Sequence, residues 1–302
     1  MTSYKSSLRK REIRKILLGL SFISPWLIGM LAFQAYPFFA SLYYSLRSTT
    51  LLSDGKYIGL ENYRELMKDD LFWKSLGNTA YFTVASLIVG TIGALGLALL
   101  LNQRIRGMTF YRVIFYMPSI VPLAAVSVIW IWILHPRYGV LNFLLEKVGL
   151  PRLGWFSDPD WAMPGLIVVS FWGLGNAMII YLAGLQDIPQ ELYEASAIDG
   201  ASGWRRLVNI TIPLLTPIIL FNLIMGLIGG FQYFVEPFVI TQGGPVDSTL
   251  TYGLYLYNNA FVYFRMGYAA AMGWILFVII MTITLLLLRT SRSWVFYQGQ
   301  AN

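Results

Sequence analysis

The segment Thr79–Leu101 reads TAYFTVASLIVGTIGALGLALLL and contains no charged side chain. Crossing the hydrocarbon core of a bilayer takes about 20 residues in a helix, and this segment is long enough to do so. Because lipid offers no hydrogen-bond partner to an open strand edge, a continuous apolar segment of this kind is expected to be helical. It also lacks the alternation of apolar and polar residues that is typical of a barrel strand. The segment therefore predicts a transmembrane helix.

The composition of the whole chain agrees with this prediction. Of 302 residues, 57% are hydrophobic and only 12% are charged, and the mean hydropathy is +0.60. A soluble domain carries about 25% charged residues, because its surface must face water. The excess apolar surface is therefore expected to face lipid, and the fold class predicted is an all-α integral membrane protein.

Six segments are long and apolar enough to span the membrane. They are Ile16–Ser45, Thr79–Leu101, Val113–Leu134, Gly165–Leu185, Leu214–Val235 and Tyr268–Leu288. The first follows a basic segment, as the core of a signal peptide would. Its apolar stretch is too long for such a core and no Ala-x-Ala cleavage site follows, so we expect it to be retained as a span.

The distribution of basic residues predicts the orientation of these spans. Cytoplasmic loops of membrane proteins are enriched in lysine and arginine, most clearly in short loops. The short loop between the second and third spans contains Arg104, Arg106 and Arg112 and no acidic residue. The basic residues of the N-terminal tail are Lys5, Arg9, Lys10, Arg11, Arg14 and Lys15. Both termini are therefore predicted to be cytoplasmic.

The chain is expected to form one membrane domain with short flanking tails. We predict a basic cytoplasmic tail over residues 1–15, a six-helix permease domain over 16–290 with a cytoplasmic loop at 187–212, and a cytoplasmic C-terminal tail over 291–302. Two extracytoplasmic loops are expected to carry short helices, around Glu61–Lys68 and Leu141–Val148.

Several classes of site are excluded by the residues the chain lacks. The sequence has no cysteine, which excludes disulfides and cysteine nucleophiles, and its single histidine, His135, cannot form a zinc site alone. The net charge of +7 is explained by the basic cytoplasmic loops, so no nucleic-acid partner is predicted.

The loop between the fourth and fifth spans carries the most specific pattern. Residues 187–213 read DIPQELYEASAIDGASGWRRLVNITIP. Pro189 suits the first turn of a helix, Glu194 favours the positive end of its dipole, and Gly200 is suited to end it in a left-handed conformation. A short helix over Gln190–Asp199 is therefore predicted, followed by a second helix from about Gly203.

The predicted short helix has apolar character on two faces. Leu192, Ala195 and Asp199 fall on one stripe, and Tyr193 and Ala197 fall on another. One face is expected to pack on the membrane domain and the other on a cytoplasmic partner. A helix lying on the membrane surface is the alternative, but it would be basic, whereas this one is acidic and favours a basic protein partner.

This loop resembles the EAA loop of ABC importer permeases, in the order Glu194, Ala195, Ser196, Asp199, Gly200, Ala201, Ile210 and Pro213. Ser196 replaces the usual second alanine, a substitution of one small residue by another. Three further stretches resemble the maltose-type carbohydrate uptake branch of that family: Gly59–Tyr63, Phe115–Ser119 and Thr241–Pro245.

The resemblance implies the fold and the partners. It implies an ABC type I importer permease in the bacterial cytoplasmic (inner) membrane, working with a second homologous permease subunit, two ATP-binding cassette subunits, an extracytoplasmic solute-binding protein and a sugar substrate. ATP and Mg would be bound by the partner subunits, with no cofactor on this chain. The residues implied to couple to an ATPase subunit are Glu194, Ala195, Ser196, Asp199 and Gly200.

The sequence shows no energy source of its own. Gly55-Lys56 is followed by Tyr57 and lacks the glycine spacing of a phosphate-binding loop. An ion-driven carrier would be expected to bury acidic residues in its spans, and Glu236, at a span end, is the one acid near them. The chain is therefore expected to be a transport subunit without enzymatic activity, energised by a partner.

The fourth and fifth predicted spans contain candidates for the substrate passage. Planar polar groups and aromatic faces are typical of sugar sites. The candidates are Ser170, Trp172, Asn176, Gly226, Gly230 and Tyr233. Close packing between helices is the alternative explanation, above all for the two glycines.

Other functions remain open at this stage. The same machinery could import a polyol or a glycerol phosphate, although a phosphate would favour arginines in the passage. A membrane-embedded enzyme would need a cluster of catalytic groups in the spans, and a channel or scaffold would not need the acidic helix.

Overall fold

The computed structural model describes residues 2–50, 53, 55–103 and 105–296, with side chains from residue 12 onward. Three parts of the sequence predictions lie outside the described residues: Arg104, the side chains of Lys5, Arg9, Lys10 and Arg11, and residues 297–302 of the C-terminal tail. Within the described residues the structure is helical, with only isolated β-bridges in one loop. The all-α fold class is confirmed.

Fourteen α-helices follow one another along the described chain. They are α1 Thr2–Met30, α2 Tyr36–Ser45, α3 Glu61–Met67, α4 Asp70–Leu101, α5 Met108–Tyr116, α6 Leu123–Ile133, α7 Val140–Lys147, α8 Pro159–Ser170, α9 Leu174–Gln186, α10 Gln190–Ile198, α11 Gly203–Arg206, α12 Ile212–Phe231, α13 Tyr252–Tyr257 and α14 Met266–Ser291. Short 3₁₀ or π-helical segments join several of them, so that consecutive helices form longer runs.

Five helical runs among the described residues are long and apolar enough to cross a membrane. They are Glu12–Ser45, Asp70–Leu101, Pro159–Gln186, Gly203–Phe231 and Met266–Ser291. Each contains most of a predicted span and extends beyond one or both predicted ends. Hydropathy marks only the apolar part of a helix: α4 begins at Asp70 because the Asp69 side chain caps it by accepting a hydrogen bond from the Leu71 N–H.

Two of the predicted spans differ from the structure in instructive ways. The fifth ends at Phe231 instead of Val235, because Gln232 leaves the helical conformation. The third is a pair of helical segments, Met108–Ile120 and Leu123–Ile133, bent by 98° at the short break between them. Val121 is extended there, the conformation that a following proline (here Pro122) imposes on its neighbour.

The contacts divide the chain into two units. One comprises the chain up to Leu66 together with Asn259–Trp274. Within it, buried Asn62 donates hydrogen bonds to the carbonyls of Ser45 (2.8 Å) and Arg47 (3.0 Å), which ties the end of α2 to the start of α3. The Gly59–Tyr63 motif therefore has a structural role in this unit.

The second unit comprises Met67–Asn258 and the chain from Ile275. One of its hydrophobic cores lies where α4, α9 and α12 meet. The buried residues of this core are Ala94, Ala98, Leu101, Met178, Tyr181, Leu182, Leu185, Ile188 and Leu215. Small residues on α4 let the helices approach closely, which is how membrane helices gain packing energy. The predicted coupling residues, the predicted passage residues and the Thr241–Pro245 motif all belong to this unit.

Candidate functional site

The short helix predicted from the 187–213 pattern is present as α10. It runs from Gln190 to Ile198, directly after Pro189, and Asp199 is its C-terminal cap. Gly200 has a φ of 72°, the left-handed conformation that favours glycine, and ends the helix as predicted. The second helix starts at Gly203, where the Ser202 side chain accepts a hydrogen bond from the Arg205 N–H (3.4 Å).

The inner face of α10 is bound to the rest of the unit. Tyr193 packs against the core at α4, α9 and α12, and its hydroxyl shares a hydrogen bond with the Thr211 hydroxyl (2.9 Å). Ser196 is 8% exposed and donates to the Tyr193 carbonyl (2.8 Å). Arg206 donates to the Ala201 carbonyl (2.9 Å) and holds the turn between α10 and α11. Tyr193 therefore anchors α10 to the core that the membrane helices form.

The outer face of α10 is exposed. Of the five predicted coupling residues, Glu194, Ala195, Asp199 and Gly200 are exposed, whereas Ser196 points inward. Ala197, predicted to share an apolar stripe with Tyr193, is also exposed, so the inner face consists of Tyr193 and Ser196.

Two large apolar side chains lie on the same exposed surface. Leu192 is 41% exposed and Ile198 is 88% exposed. Apolar side chains bordered by carboxylates form a surface suited to a protein partner.

All six predicted passage residues line one cavity of about 270 Å³. They are Ser170, Trp172, Asn176, Gly226, Gly230 and Tyr233. The wall is completed by α4, by the bend between α5 and α6, and by Glu236 beyond the end of α12. We name this space the upper cavity.

A second cavity of about 580 Å³ continues along the same helices on the side of α10. We name it the lower cavity. It shares six lining residues with the upper cavity: Ser86, Ser170, Gly173, Asn176, Gly226 and Gly229. The two cavities therefore form one tract along α9 and α12, from the level of Glu236 to the level of Tyr181. Both volumes are in or near the range of small-molecule sites, about 300–1,000 Å³.

The upper cavity is rich in aromatic rings with unused polar atoms. Tyr233 stacks on Phe82 with 3.8 Å between ring centroids, so one of its two faces is already covered. Trp172 meets Trp130 edge to face at 5.9 Å. Three buried polar atoms on the cavity wall have no hydrogen-bond partner: Ser119 Oγ, Trp172 Nε1 and Tyr233 Oη.

The two glycines of α12 serve packing as well as the cavity. A Cβ at Gly226 would lie 2.8 Å from Leu87 Cδ1, and a Cβ at Gly230 would lie 2.6 Å from Thr83 Cγ2. Both positions thus allow α12 to lie close against α4, as the packing alternative holds. They also leave the adjoining wall open, since both residues line the upper cavity.

Several lining residues of the upper cavity are absent from the sequence-based set of passage residues, and Ser119, Phe82 and Glu236 are among them. Ser119 belongs to the Phe115–Ser119 motif, and the bend at Pro122 brings it to the wall. Phe82 lies on α4, one turn before Ser86, which also lines the cavity. The sequence did single out Glu236 as an acid at the end of a predicted span, and its 7% exposure shows that it faces inward.

The Thr241–Pro245 motif forms a tightly bonded turn. The Thr249 hydroxyl lies 2.7 Å from both the Thr241 hydroxyl and the Gly244 carbonyl. Asn78 of α4 donates to the carbonyls of Asp247 (2.9 Å) and Leu250 (3.0 Å). This network anchors the turn and leaves the Val246 side chain 75% exposed at its tip.

Comparisons with known proteins agree with this geometry. Residues 86–295 match the family described as binding-protein-dependent transport system inner membrane component. The chain is 43% identical to the probable ABC transporter permease protein YesP of Bacillus subtilis, over 97% of this chain and 96% of that protein. It is 32% identical to the trehalose/maltose transport system permease protein MalF of Thermococcus litoralis, over 94% and 96% of the two chains.

A solved structure has the same fold. The match is to a bacterial ABC transporter involved in the import of the acidic polysaccharide alginate, with a TM-score of 0.83, 25% identity and coverage of 93% of this chain and 97% of that chain. A second match, with a TM-score of 0.83 and 25% identity over 93% of this chain and 96% of that chain, is to a bacterial alginate ABC transporter in complex with a periplasmic protein bound to an alginate pentasaccharide.

Proposed function

Because this chain belongs to the family of inner membrane components of binding-protein-dependent transport systems, we propose that it carries a sugar or oligosaccharide across the bacterial inner membrane by alternating access. In this proposal the energy comes from ATP hydrolysis on partner subunits. The observation that carries the proposal is the placement, in one unit, of an exposed acidic helix anchored to the core that α4, α9 and α12 form.

The tract formed by the upper and lower cavities supports a sugar as the substrate. Sugars are bound by aromatic faces and by hydrogen bonds to their hydroxyls. The tract offers Trp172, Tyr233 and Asn176 for these contacts, and its lining residues in the described chain include no lysine, arginine or histidine. A glycerol phosphate would require such cations, so a hydroxylated, unphosphorylated substrate fits better.

The exposed face of α10 would dock on an ATPase subunit. Glu194 would pair with a basic residue there, and Leu192 and Ile198 would fill an apolar recess. When two ATPase subunits close on ATP and Mg, the docked helix would move as a rigid body. The packing of Tyr193 on the core, and its hydrogen bond to Thr211 just before α12, would pass this movement to α9 and α12, whose side chains line the tract.

The proposal requires three kinds of partner. A second homologous permease would complete the passage, two ATP-binding cassette subunits would supply the energy, and an extracytoplasmic binding protein would deliver the sugar. No catalytic role is assigned to this chain.

The coupling role of Glu194 can be tested in proteoliposomes that contain the complete transporter. We expect Glu194→Lys to abolish uptake while ATP hydrolysis persists, because reversing the charge at a desolvated interface leaves the partner residue uncompensated. Glu194→Asp keeps the charge and is the matched control, expected to retain uptake. Normal uptake by Glu194→Lys would show that this helix does not couple the two activities.

A further inference from the structure

Glu236 is a buried acid in a position that the proposed transport cycle leaves unexplained. It follows α12, precedes Pro237, and is 7% exposed. It is the one charged side chain among the described residues that line the upper and lower cavities. Burying a carboxylate is costly unless hydrogen bonds or an opposite charge compensate it, so its presence on the wall needs a reason.

The described structure provides little compensation for this carboxylate. The ion pairs found among the described residues are Arg64–Glu61, Arg152–Glu146 and Arg265–Glu65, and none involves Glu236. Its side chain makes no hydrogen bond that caps the π-helical segment Pro237–Thr241, which follows it. An ionised carboxylate has about four acceptor positions, so acceptor capacity is left over on the cavity side.

The other polar groups of the upper cavity without a hydrogen-bond partner can all donate a hydrogen bond. Trp172 Nε1–H can only donate, and the hydroxyls of Tyr233 and Ser119 can donate or accept. All three are buried without a hydrogen-bond partner, and Tyr233 as a whole is 9% exposed. A buried polar group without a partner is destabilising, so these atoms point to a ligand that completes their bonding.

This combination fits one chemical class of ligand. A sugar hydroxyl donates one hydrogen bond and accepts others, so an uncharged sugar ring can bond the carboxylate and the three hydroxyl or indole groups together. A uronate or sulfonate would place a second negative charge beside Glu236. With no cation on the wall, nothing in the cavity would offset the repulsion.

We infer that Glu236 is a specificity-determining residue that admits uncharged sugar units to the upper cavity and disfavours anionic ones. The inference rests on the proposed sugar passage. It predicts an uncharged substrate for this chain, whereas the structural neighbour is involved in the import of an acidic polysaccharide.

The test compares two probes on the complete transporter in lipid nanodiscs without its binding protein. Maltotriose is the neutral probe and an alginate trisaccharide is the anionic probe, and quenching of tryptophan fluorescence, to which Trp172 on the cavity wall contributes, reports binding. The wild type is expected to bind maltotriose more tightly. Glu236→Gln should weaken maltotriose binding about tenfold, because a hydrogen bond to a charged group is replaced by a weaker one to a neutral amide. It should strengthen alginate binding about tenfold, because the like charge is removed.

Glu61→Gln removes an exposed carboxylate that lines neither cavity and is the matched control, expected to leave the ratio of the two affinities unchanged. A wild type that binds alginate at least as tightly as maltotriose overturns the inference, and this comparison holds even if Glu236→Gln fails to assemble. An unchanged ratio in Glu236→Gln overturns it as well.

The failure of the proposed function has a different signature. If neither trisaccharide binds, and a panel of neutral sugars gives no uptake with the binding protein restored, the sugar passage itself is wrong. If both trisaccharides bind with equal affinity, only the proposed role of Glu236 is refuted, and the sugar passage stands.

Discussion

At the scale of single residues, glycines decide how closely the helices approach one another. A Cβ at Gly175 would lie 2.5 Å from Ser119 Oγ and 2.7 Å from the Phe115 carbonyl oxygen. A Cβ at Gly184 would overlap the Ile218 side chain. The Phe115 carbonyl is part of the backbone and cannot rotate away from a Cβ at Gly175, whereas the Ile218 side chain can rotate away from one at Gly184. Gly175 therefore tolerates a methyl group less well than Gly184 does.

We expect Gly175→Ala to destabilise the protein by about 1–3 kcal/mol, the usual cost of overpacking. Gly96→Ala is the matched control, because a Cβ there meets nothing within 4 Å inside α4. Alanine in a helix interior is about 0.5–1 kcal/mol more favourable than glycine, so the control should be neutral or slightly stabilised. Thermal unfolding of the purified complex measures both, and equal melting temperatures would contradict the packing derived for Gly175.

At the scale of the element, the parts that local chemistry determines were predictable from the sequence. Continuous apolar runs gave the spans, and Pro189 with Gly200 gave the bounds of α10 to within one residue. The bend between α5 and α6 was not predicted, because hydropathy shows which residues are apolar but not where the helix axis changes direction. The upper cavity was found only in part, since Phe82, Ser119 and Glu236 come together through packing between distant segments.

The turn after α10 offers a second prediction. Gly200 and Gly149 both have a positive φ, +72° and +81° respectively. A Cβ added at either position would meet no other atom within 4 Å. Aspartate at either position meets similar backbone strain, on the order of 1–2 kcal/mol. We expect Gly200→Asp to uncouple uptake from ATP hydrolysis, because the strain is relieved by turning α10 away from its partner.

Gly149→Asp is the control, since Gly149 follows α7, far along the chain from α10. It should lose a similar amount of stability and keep a normal ratio of uptake to hydrolysis in proteoliposomes. An equal ratio of uptake to ATP hydrolysis in both variants would mean that the orientation of α10 does not affect coupling.

At the scale of the whole molecule, the two functional ends belong to the same unit. The exposed face of α10 lies beyond one end of the tract. Glu236 lies at the other end, and the turn that carries Val246 lies beyond it. The positive-inside rule assigns α10 to the cytoplasm and Val246 to the opposite side. This arrangement is what a subunit needs if it receives energy on one side and substrate on the other.

The absence of cysteine makes this orientation directly testable. Ile198 and Val246 are 88% and 75% exposed, so a thiol at either position is accessible. In intact spheroplasts, a membrane-impermeant maleimide is expected to label Val246→Cys, and to label Ile198→Cys only after permeabilisation. The reverse pattern would invert the orientation of the whole chain.

Crosslinking from α10 tests most directly the idea that this helix takes up the movement of an ATPase. In the complete transporter, a short thiol-to-amine reagent is applied to single-cysteine variants Glu194→Cys, Ile198→Cys and Val246→Cys. We predict that the first two become joined to an ATPase subunit, with a yield that changes when ATP is added, and that Val246→Cys does not. Crosslinks to the ATPase from Val246→Cys alone, or from none of the three, would contradict the transmission of energy through α10.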